Sequence, residues 1–168
     1  LDRQVWQEFF ENENMVEQTE AVVETFFPVI PIPADYSADN VMISAKGRTL
    51  QGFFRRMILA NYGNACCITG MNIPALLVAS HIVPWKTDPS IRIHPQNGLC
   101  LNALHDKAFD QGLITIDSSC RVVVSRFVAR EKSNSALWDF EGRKITLPEK
   151  FQPSSEFLNY HQSRIFKD

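Results

Sequence analysis

The chain has 168 residues, of which 45% are hydrophobic, and a formal net charge of −2 at pH 7. This composition is sufficient for one ordinary buried core and excludes a disordered or fibrous chain. No stretch approaches 18 consecutive apolar residues, and the first residues are acidic, so we expect neither a membrane span nor a signal peptide. We therefore expect a cytoplasmic protein without a membrane partner. Leu1 stands where Met would open a complete chain, which is compatible with a longer natural protein.

The charges are unevenly distributed along the chain. Residues 1–40 contain nine Asp or Glu and a single basic residue, Arg3. The remaining 128 residues contain sixteen Lys or Arg and ten Asp or Glu, which gives them a net charge of +6. A positive surface of this kind suits a protein that meets phosphates.

The first predicted elements form an N-terminal arm. Apolar residues recur at mostly helical intervals over residues 1–27, which predicts one or two acidic helices. Pro28, Pro31 and Pro33 interrupt this pattern, so the segment through Asn40 is predicted as an extended linker. We therefore divide the chain into an arm with its linker at 1–40 and a folded domain at 41–168.

The folded domain is predicted to begin with a helix and a strand. The apolar spacing from Thr49 to Tyr62 predicts a helix, with Gly63 at the position of a C-terminal cap. The sequence of Cys67–Gly70 indicates a short strand and turn. Leu76–Val83 is β-prone and leads into a polar loop at 86–96.

A returning strand and a helix follow the loop. Leu99–Leu101 fits the strand, and Asn102 can cap a helix that continues through Asp110 and stops at Gly112. After this come a predicted hairpin and a closing helix, with the ranges Leu113–Ile116, Arg121–Ser125 and Ser154–Phe166. The pattern predicts an α+β fold in which a strand, loop, strand and helix unit is joined by flanking helices and an additional hairpin.

The strand, loop, strand and helix unit concentrates the residues that carry chemistry. His81 ends the first strand, where its imidazole can act as a base near neutral pH. Asn97 lies at the start of the returning strand. Asp106 and Asp110 are four residues apart, which places both carboxylates on one helix face. Two oxygen ligands opposite a histidine predict a divalent-metal site that can hydrolyse a phosphodiester.

Three coupled motifs at matched spacing resemble the HNH endonucleases of the restriction-endonuclease-like branch. They are Ala79–Trp85, Asn97–Leu101 and Leu104–Thr115, and a less specific likeness extends from about Gln51 to Phe166. The resemblance implies a ββα-metal core and a metal-dependent endonuclease that cuts DNA, with a role in restriction of foreign DNA. Cutting both strands with one site in each chain favours a homodimer.

The resemblance also implies roles for individual residues. His81 falls on the general base, and Asn97 on the residue that steadies the loop or binds the metal. The last motif position falls on Asp106, with His105 beside it, and His105 is a candidate catalytic residue, metal ligand or phosphate contact. A carboxylate or His often precedes the catalytic His as a metal ligand, but this chain has Ser80 there. An oxygen-only set of ligands suits Mg²⁺ or Mn²⁺, whereas a set that includes His105 suits Mn²⁺, Ni²⁺ or Zn²⁺.

Several residues outside the motif complete the sequence predictions. The nearest basic residues are candidate phosphate contacts, namely Arg55, Arg56, Lys86, Arg92 and Lys107. We expect the four cysteines to be free core thiols, and not disulfides or a structural zinc site, because Thr69 stands where a second thiol of a CxxC pair would be. His94 and His161 lack partners at ligand spacing and are expected to be structural or exposed.

Two other functions are compatible with the sequence. A module of the same fold could bind nucleic acid without cutting it, and Ser80 is the residue that raises this alternative. A regulatory domain could instead use the acidic segment 1–27 to contact a protein partner or to mask the basic face. An RNA substrate is also compatible, because nothing in the sequence reports on contacts to a 2′ hydroxyl.

Overall fold

The computed structural model describes residues 38–168, with side chains from residue 50 onward. The predicted acidic arm at 1–27 therefore lies outside the described residues. The described elements, in chain order, are α1 (Ala38–Asn61), β1 (Leu77–His81), β2 (Gly98–Asn102), α2 (Ala103–Asp110), β3 (Ile114–Ile116), β4 (Val122–Val124), α3 (Ser135–Trp138) and α4 (Ser155–Arg164). The fold is α+β, as predicted.

Residues Phe54–Asp168 form one compact unit. Its core is built from aliphatic and aromatic side chains of α1, both strand pairs, α2 and α4. The largest of these fully buried apolar side chains are Phe54, Phe109, Ile58, Leu77, Ile82, Leu99, Leu101, Ile114, Ile116, Leu158 and Val122. Removing this much apolar surface from water is the main favourable contribution to folding of the unit.

The first strand pair carries His81. Strands β1 and β2 are antiparallel, and their register places Leu77 opposite Asn102 and His81 opposite Gly98. A Cβ atom at Gly98 would lie 2.6 Å from Cγ1 of Ile58 and 2.8 Å from Cζ of Phe54. Only a glycine therefore allows α1 to approach this end of the strand pair so closely.

Helix α2 begins and ends at the residues that its sequence indicates. Asn102 caps it, since its Oδ1 accepts a hydrogen bond of 2.9 Å from the backbone N–H of His105. Gly112 follows the helix at φ +68°, a conformation that glycine adopts without strain. The backbone N–H of Leu113 then closes the end of the helix on the carbonyl of Ala108 at 2.8 Å.

The remaining elements pack against α2. Strands β3 and β4 form a second antiparallel pair, joined by a turn in which Asp117 accepts hydrogen bonds from the backbone of Ser119 and Arg121. Helix α4 packs against β3 through His161. This histidine stacks on Phe109 at 3.6 Å between ring centroids and bonds to Thr115 at 2.9 Å.

The predicted element bounds need two corrections. Helix α1 begins at Ala38 and not at Thr49, so residues 38–40, which were predicted as part of the linker, are helical. Cys67–Gly70 forms a turn but no strand, because Cys67 makes two single backbone hydrogen bonds, from its N–H to Cys100 and from Thr146 to its carbonyl. The short helix α3 was not predicted. No helix in the described part of the chain is long and apolar enough to cross a membrane.

Candidate active site

His81 lies at the end of β1 with its ring half-buried between two aromatic side chains. It stacks on Phe54 at 3.8 Å between centroids and 13° between planes, and it meets Trp85 edge-on at 5.4 Å. Its Nε2 lies 2.8 Å from the carbonyl oxygen of Arg92. Because a carbonyl only accepts hydrogen bonds, the ring proton is on Nε2 and a lone pair is on Nδ1. Nδ1 makes no hydrogen bond with a described residue.

The environment of His81 keeps the imidazole neutral. Burial lowers the pKa of His81 from its ordinary value of 6.5, and the hydrogen bond to the Arg92 carbonyl offsets part of this effect. The ring is therefore deprotonated at neutral pH, with one nitrogen fixed by the backbone. A neutral ring with a free nitrogen is the form that a general base requires.

Asn97 fixes the loop that carries the Arg92 carbonyl. It is 1% exposed, and its Oδ1 accepts a hydrogen bond of 2.8 Å from the backbone N–H of Val83. Its Nδ2 donates to the carbonyls of Val83 and Ile91, each at 3.2 Å. These three bonds join the two ends of the loop between β1 and β2. These bonds are compatible with the loop-steadying role of Asn97, which stays a prediction.

The Asp106 carboxylate of α2 lies beside Ser80, and Asp110 is close enough to Asp106 for their charges to interact. Burial raises the pKa of Asp106, and the charge of Asp110 raises it further, while the Ser80 hydroxyl and Lys107 lower it. Burial also raises the pKa of Asp110, and Lys107 opposes the shift. The Ser80 Oγ is buried and makes no hydrogen bond of good geometry. A hydroxyl left in this state beside Asp106, with the like charge of Asp110 close to that carboxylate, fits the oxygen surroundings of a hard divalent cation.

His105 lies on a different side of α2 from this oxygen cluster. It is 2% exposed, its Nδ1 bonds to Oδ1 of Asn102 at 2.9 Å, and its ring meets Phe140 edge-on at 5.3 Å. Burial lowers the pKa of His105, and the backbone of Ala136 partly offsets the shift. Its Nε2 is buried without a hydrogen bond of good geometry. In the described residues, no group of three or more His, Cys, Asp or Glu could hold a metal ion.

Two of the five predicted phosphate contacts are engaged in holding the backbone. The guanidinium of Arg55 donates to the carbonyls of Leu77 at 2.6 Å and Pro74 at 3.1 Å, which ties α1 to the start of β1. Arg92 donates from Nε to the carbonyl of Trp85 at 2.9 Å, and its guanidinium lies 5.2 Å from the centroid of the Trp85 ring. Both residues position the His81 loop and strand.

The other three predicted contacts are exposed. Arg56, Lys86 and Lys107 lie at the surface of the described domain. Lys107 is close enough to Asp106 and Asp110 to lower the pKa of both carboxylates. A role for these residues in binding phosphates stays a prediction.

His161 and three of the four cysteines lie in the core, whereas His94 and Cys120 are partly exposed, so Cys120 is not the core thiol that was predicted. His161 is buried, bonded to Thr115 and to the Phe109 carbonyl, and burial lowers its pKa to about 4. His94 accepts a hydrogen bond from the N–H of Gln96. Among the cysteines, Cys66, Cys67 and Cys100 are buried thiols, and burial raises the pKa of Cys100 to about 12.

Sequence reasoning did not indicate two of these neighbours. Ser80 was expected only as a weak substitute for a ligand, whereas its hydroxyl is buried against the helix that carries Asp106. The stacking of Phe54 on His81 joins residues 27 positions apart, and no local signal reports such a contact. Gly98 was an available clue, because a glycine inside a strand marks close approach by another part of the chain.

Comparison with known proteins agrees with this geometry. Residues 66–117 match the HNH endonuclease family. The fold resembles a solved structure described as a modification dependent TagI restriction endonuclease, with a TM-score of 0.51 and 16% sequence identity. The match covers 67% of this chain and 37% of that one, so this chain spans little more than a third of that protein's length. No curated protein matches the sequence.

The matched residues contain the antiparallel strand pair with His81 at the end of its first strand and the helix that carries Asp106 and Asp110. Residues 66–117 are therefore assigned to the HNH endonuclease family.

Proposed function

We propose that this protein is a metal-dependent endonuclease that hydrolyses phosphodiester bonds in DNA, with His81 as the base that activates water. The observation that carries the proposal is the hydrogen bond of 2.8 Å from His81 Nε2 to the Arg92 carbonyl. It fixes the tautomer and directs the lone pair of Nδ1 away from the backbone. Accepting a proton from water at Nδ1 leaves a hydroxide to attack the phosphorus atom.

We assign the metal site to Asp106 and Asp110, with the Ser80 hydroxyl beside them. When bound, a divalent cation supplies positive charge against the phosphate and the departing 3′ oxygen. Mg²⁺ and Mn²⁺ are the ions that this assignment favours, because one or two carboxylates and several waters meet their preference. Ni²⁺ or Zn²⁺ would call for His105, whose ring packs against Phe140 instead.

Three other residues act by positioning. Asn97 holds the loop through Val83 and Ile91. Arg92 supplies the carbonyl that orients His81, and its own guanidinium is held by Trp85. Gly98 leaves room for Phe54 to support the ring. A site fixed by its surroundings in this way needs little reorganisation when substrate binds.

DNA is the substrate that we infer, with restriction of foreign DNA as the role. The net charge of +6 over residues 41–168 suits a polyanion, and the structural likeness to a restriction endonuclease supports the role. We also propose that two chains act together, since a double-strand cut takes two sites.

One observation favours the alternative, a module that binds DNA without cutting it. Ser80 stands where a stronger ligand often precedes the base, and only two carboxylates of the described residues lie at the assigned metal site. A site with this few charged ligands binds a cation more weakly than one with three. The two functions predict different results with the same plasmid substrate.

The test is cleavage of supercoiled plasmid by the wild type and by His81→Ala, with Mg²⁺, Mn²⁺ and Ni²⁺ titrated separately. We expect the wild type to cut and His81→Ala to lose roughly 10²- to 10⁴-fold in rate, the usual contribution of general acid–base catalysis. Circular dichroism should show that both proteins are folded. A wild type that shifts the plasmid band but never nicks it with any of these ions would establish the alternative.

Two variants, each lacking one carboxylate, test the metal assignment. Asp106→Asn and Asp110→Asn keep the shape of each side chain but remove its charge, so we expect both to need a higher metal concentration for half-maximal cutting. Glu149→Gln is the matched control, since Glu149 is exposed and lies outside the site. An unchanged metal requirement in both Asp variants would contradict the assignment.

A further inference from the structure

A surface segment beyond the active site combines arginines with aromatic rings. We call residues 126–143 the arginine–aromatic segment. Its most exposed aromatic ring is that of Phe127, whose side chain is 67% exposed, and the guanidinium of Arg126 lies 5.6 Å from the centroid of that ring. A phenylalanine side chain this exposed contributes little hydrophobic stabilisation to the fold, because most of its surface stays in water.

Two more arginines of the segment lie over rings. Arg130 is 4.9 Å from the centroid of Trp138, and Arg143 is 5.4 Å from that of Phe140. Such cation–π pairs orient a guanidinium without neutralising its charge. Within the described residues, no Asp or Glu side chain forms an ion pair with these three arginines. Arg126 donates one hydrogen bond of 2.8 Å from Nη2 to the backbone oxygen of Asp168, which leaves its other guanidinium N–H groups for a ligand.

Hydrogen bonds hold the segment in one shape. The Ala129 carbonyl accepts from Trp138 Nε1 at 3.1 Å and from Asn134 Nδ2 at 2.8 Å. The carboxylate of Glu141 accepts from the backbone N–H of Val124, which fastens the segment to β4. A surface held in place before binding loses less conformational entropy when it meets a partner.

The segment also contacts helix α2, which carries the proposed metal ligands. Phe140 packs edge-on against His105, and His105 precedes Asp106 in α2. Residues 121–144 contain six Arg or Lys and three Asp or Glu, for a net charge of +3. The segment therefore places positive charge next to α2, on the side of the helix that carries His105.

We propose that the arginine–aromatic segment is a DNA-binding surface. Arg126, Arg130 and Arg143 contact backbone phosphates, and the ring of Phe127 packs as an apolar wedge against a base step. This inference rests on the proposed nuclease function for its choice of DNA as the partner. It adds contacts outside the HNH motif, and binding can be measured without cutting.

The first experiment measures affinity for a fluorescent duplex in EDTA over a range of salt concentrations. We expect the triple variant Arg126→Gln, Arg130→Gln and Arg143→Gln to bind at least about tenfold more weakly. Its salt dependence should also fall, by about 0.9 in slope for each phosphate that the variant no longer binds. The corresponding triple Lys variant should retain most of the affinity, because it keeps the charge.

A matched control removes three charges elsewhere on the domain. Lys150→Gln, Arg164→Gln and Lys167→Gln change the net charge by the same amount at other exposed positions. We expect this control to keep most of its affinity and salt slope. An equal loss in both triple variants, or no loss in either, would overturn the proposed surface.

The wedge has its own measurement. A duplex with 2-aminopurine should gain fluorescence on binding the wild type if Phe127 opens a base step, and Phe127→Ala should lose this gain while Phe127→Trp retains it. An unchanged signal in Phe127→Ala would contradict the wedge. If that variant instead changes only the oligomeric state, the ring belongs to a contact between chains and the DNA assignment is wrong.

These outcomes are distinct from a failure of the nuclease proposal. If the wild type cuts plasmid and the Gln triple variant binds and cuts equally well, only the surface inference fails. If the wild type never cuts but the Gln triple variant loses binding, the surface stands and only the nuclease proposal fails.

Discussion

At the scale of single residues, the arrangement around His81 separates two tasks between its ring nitrogens. Nε2 bonds to the Arg92 carbonyl, and Nδ1 is the nitrogen that we propose takes up a proton. Partial burial against Phe54 and Trp85 lowers the pKa, which keeps the ring neutral but makes it a weaker base. A general base works best when its pKa lies near the operating pH. The surroundings of His81 therefore increase the fraction of the ring that is neutral and decrease its basicity.

This balance predicts the pH dependence of cleavage. The neutral ring is the active form, and its population decreases as the pH falls through the pKa of His81. Because burial lowers that pKa, the acid limb of kcat/KM should have its midpoint below the ordinary histidine value of 6.5. Single-turnover plasmid nicking at saturating metal would measure the limb. His94→Asn should leave it in place, and a midpoint above 6.5 would contradict the burial argument.

The sequence indicated candidate site residues by their types and spacings, but it did not indicate which residues they contact in the fold. The sequence indicated His81, Asn97, Asp106 and Asp110, since their types and spacings are local features. It did not indicate that Ser80 lies beside Asp106, because that depends on how α2 packs against β1. It also overlooked the arginine–aromatic segment, although arginines alternating with aromatic residues between 126 and 143 were a visible signal.

At the scale of elements, the active site depends on how closely α1 approaches the strand pair. Gly98 lies opposite His81, and the space left by its missing side chain is taken by Ile58 and Phe54. Phe54 uses this space to stack on His81. One glycine therefore links the packing of the helix to the orientation of the base.

Gly98→Ala should destabilise the domain and slow cleavage. The new Cβ would overlap Ile58 and Phe54, and an overpacked core of this kind typically costs about 1–3 kcal/mol. Ile58→Val removes the methyl group nearest the clash and alone costs about 0.5–1.5 kcal/mol. We expect the double variant to be more stable than the sum of the two changes predicts, as measured by urea unfolding. Strict additivity would show that the contact does not limit packing.

Elements with local signals were predicted well. The cap at Asn102 and the stop at Gly112 gave α2 its bounds, and short runs of β-branched residues indicated β3 and β4. For Cys67–Gly70 the predicted turn was right and the predicted strand was wrong. The hydrogen bonds of Cys67 go to Cys100 and Thr146, which are distant in sequence, so the local sequence did not show that no strand pairing forms. The start of α1 was missed because no proline between residues 38 and 49 marks where the predicted linker ends and the helix begins.

At the scale of the whole domain, the buried histidines oppose folding in acid. Burial lowers the pKa of each of the four, and the largest shift is that of His161, to about 4. A group with a lowered pKa in the folded state binds its proton first in the unfolded state. Stability is therefore complete above pH 6.5 and falls as the pH decreases from there towards 4. Asp106 and Asp110 act in the opposite sense at lower pH, because their raised pKa values let the folded state take up protons first.

His161 should dominate this loss of stability. A shift from 6.5 to about 4 corresponds to about 3 kcal/mol, since each pKa unit is about 1.4 kcal/mol. We expect the free energy of unfolding to fall by roughly this amount between pH 7 and pH 4, and we expect a smaller fall in His161→Gln, whose amide does not titrate. Urea unfolding of both proteins at several pH values would measure the difference. His161 bonds to Thr115 and to the Phe109 carbonyl. If the plots of unfolding free energy against pH were parallel for the two proteins, the neutral imidazole of His161 would not be what limits stability in acid.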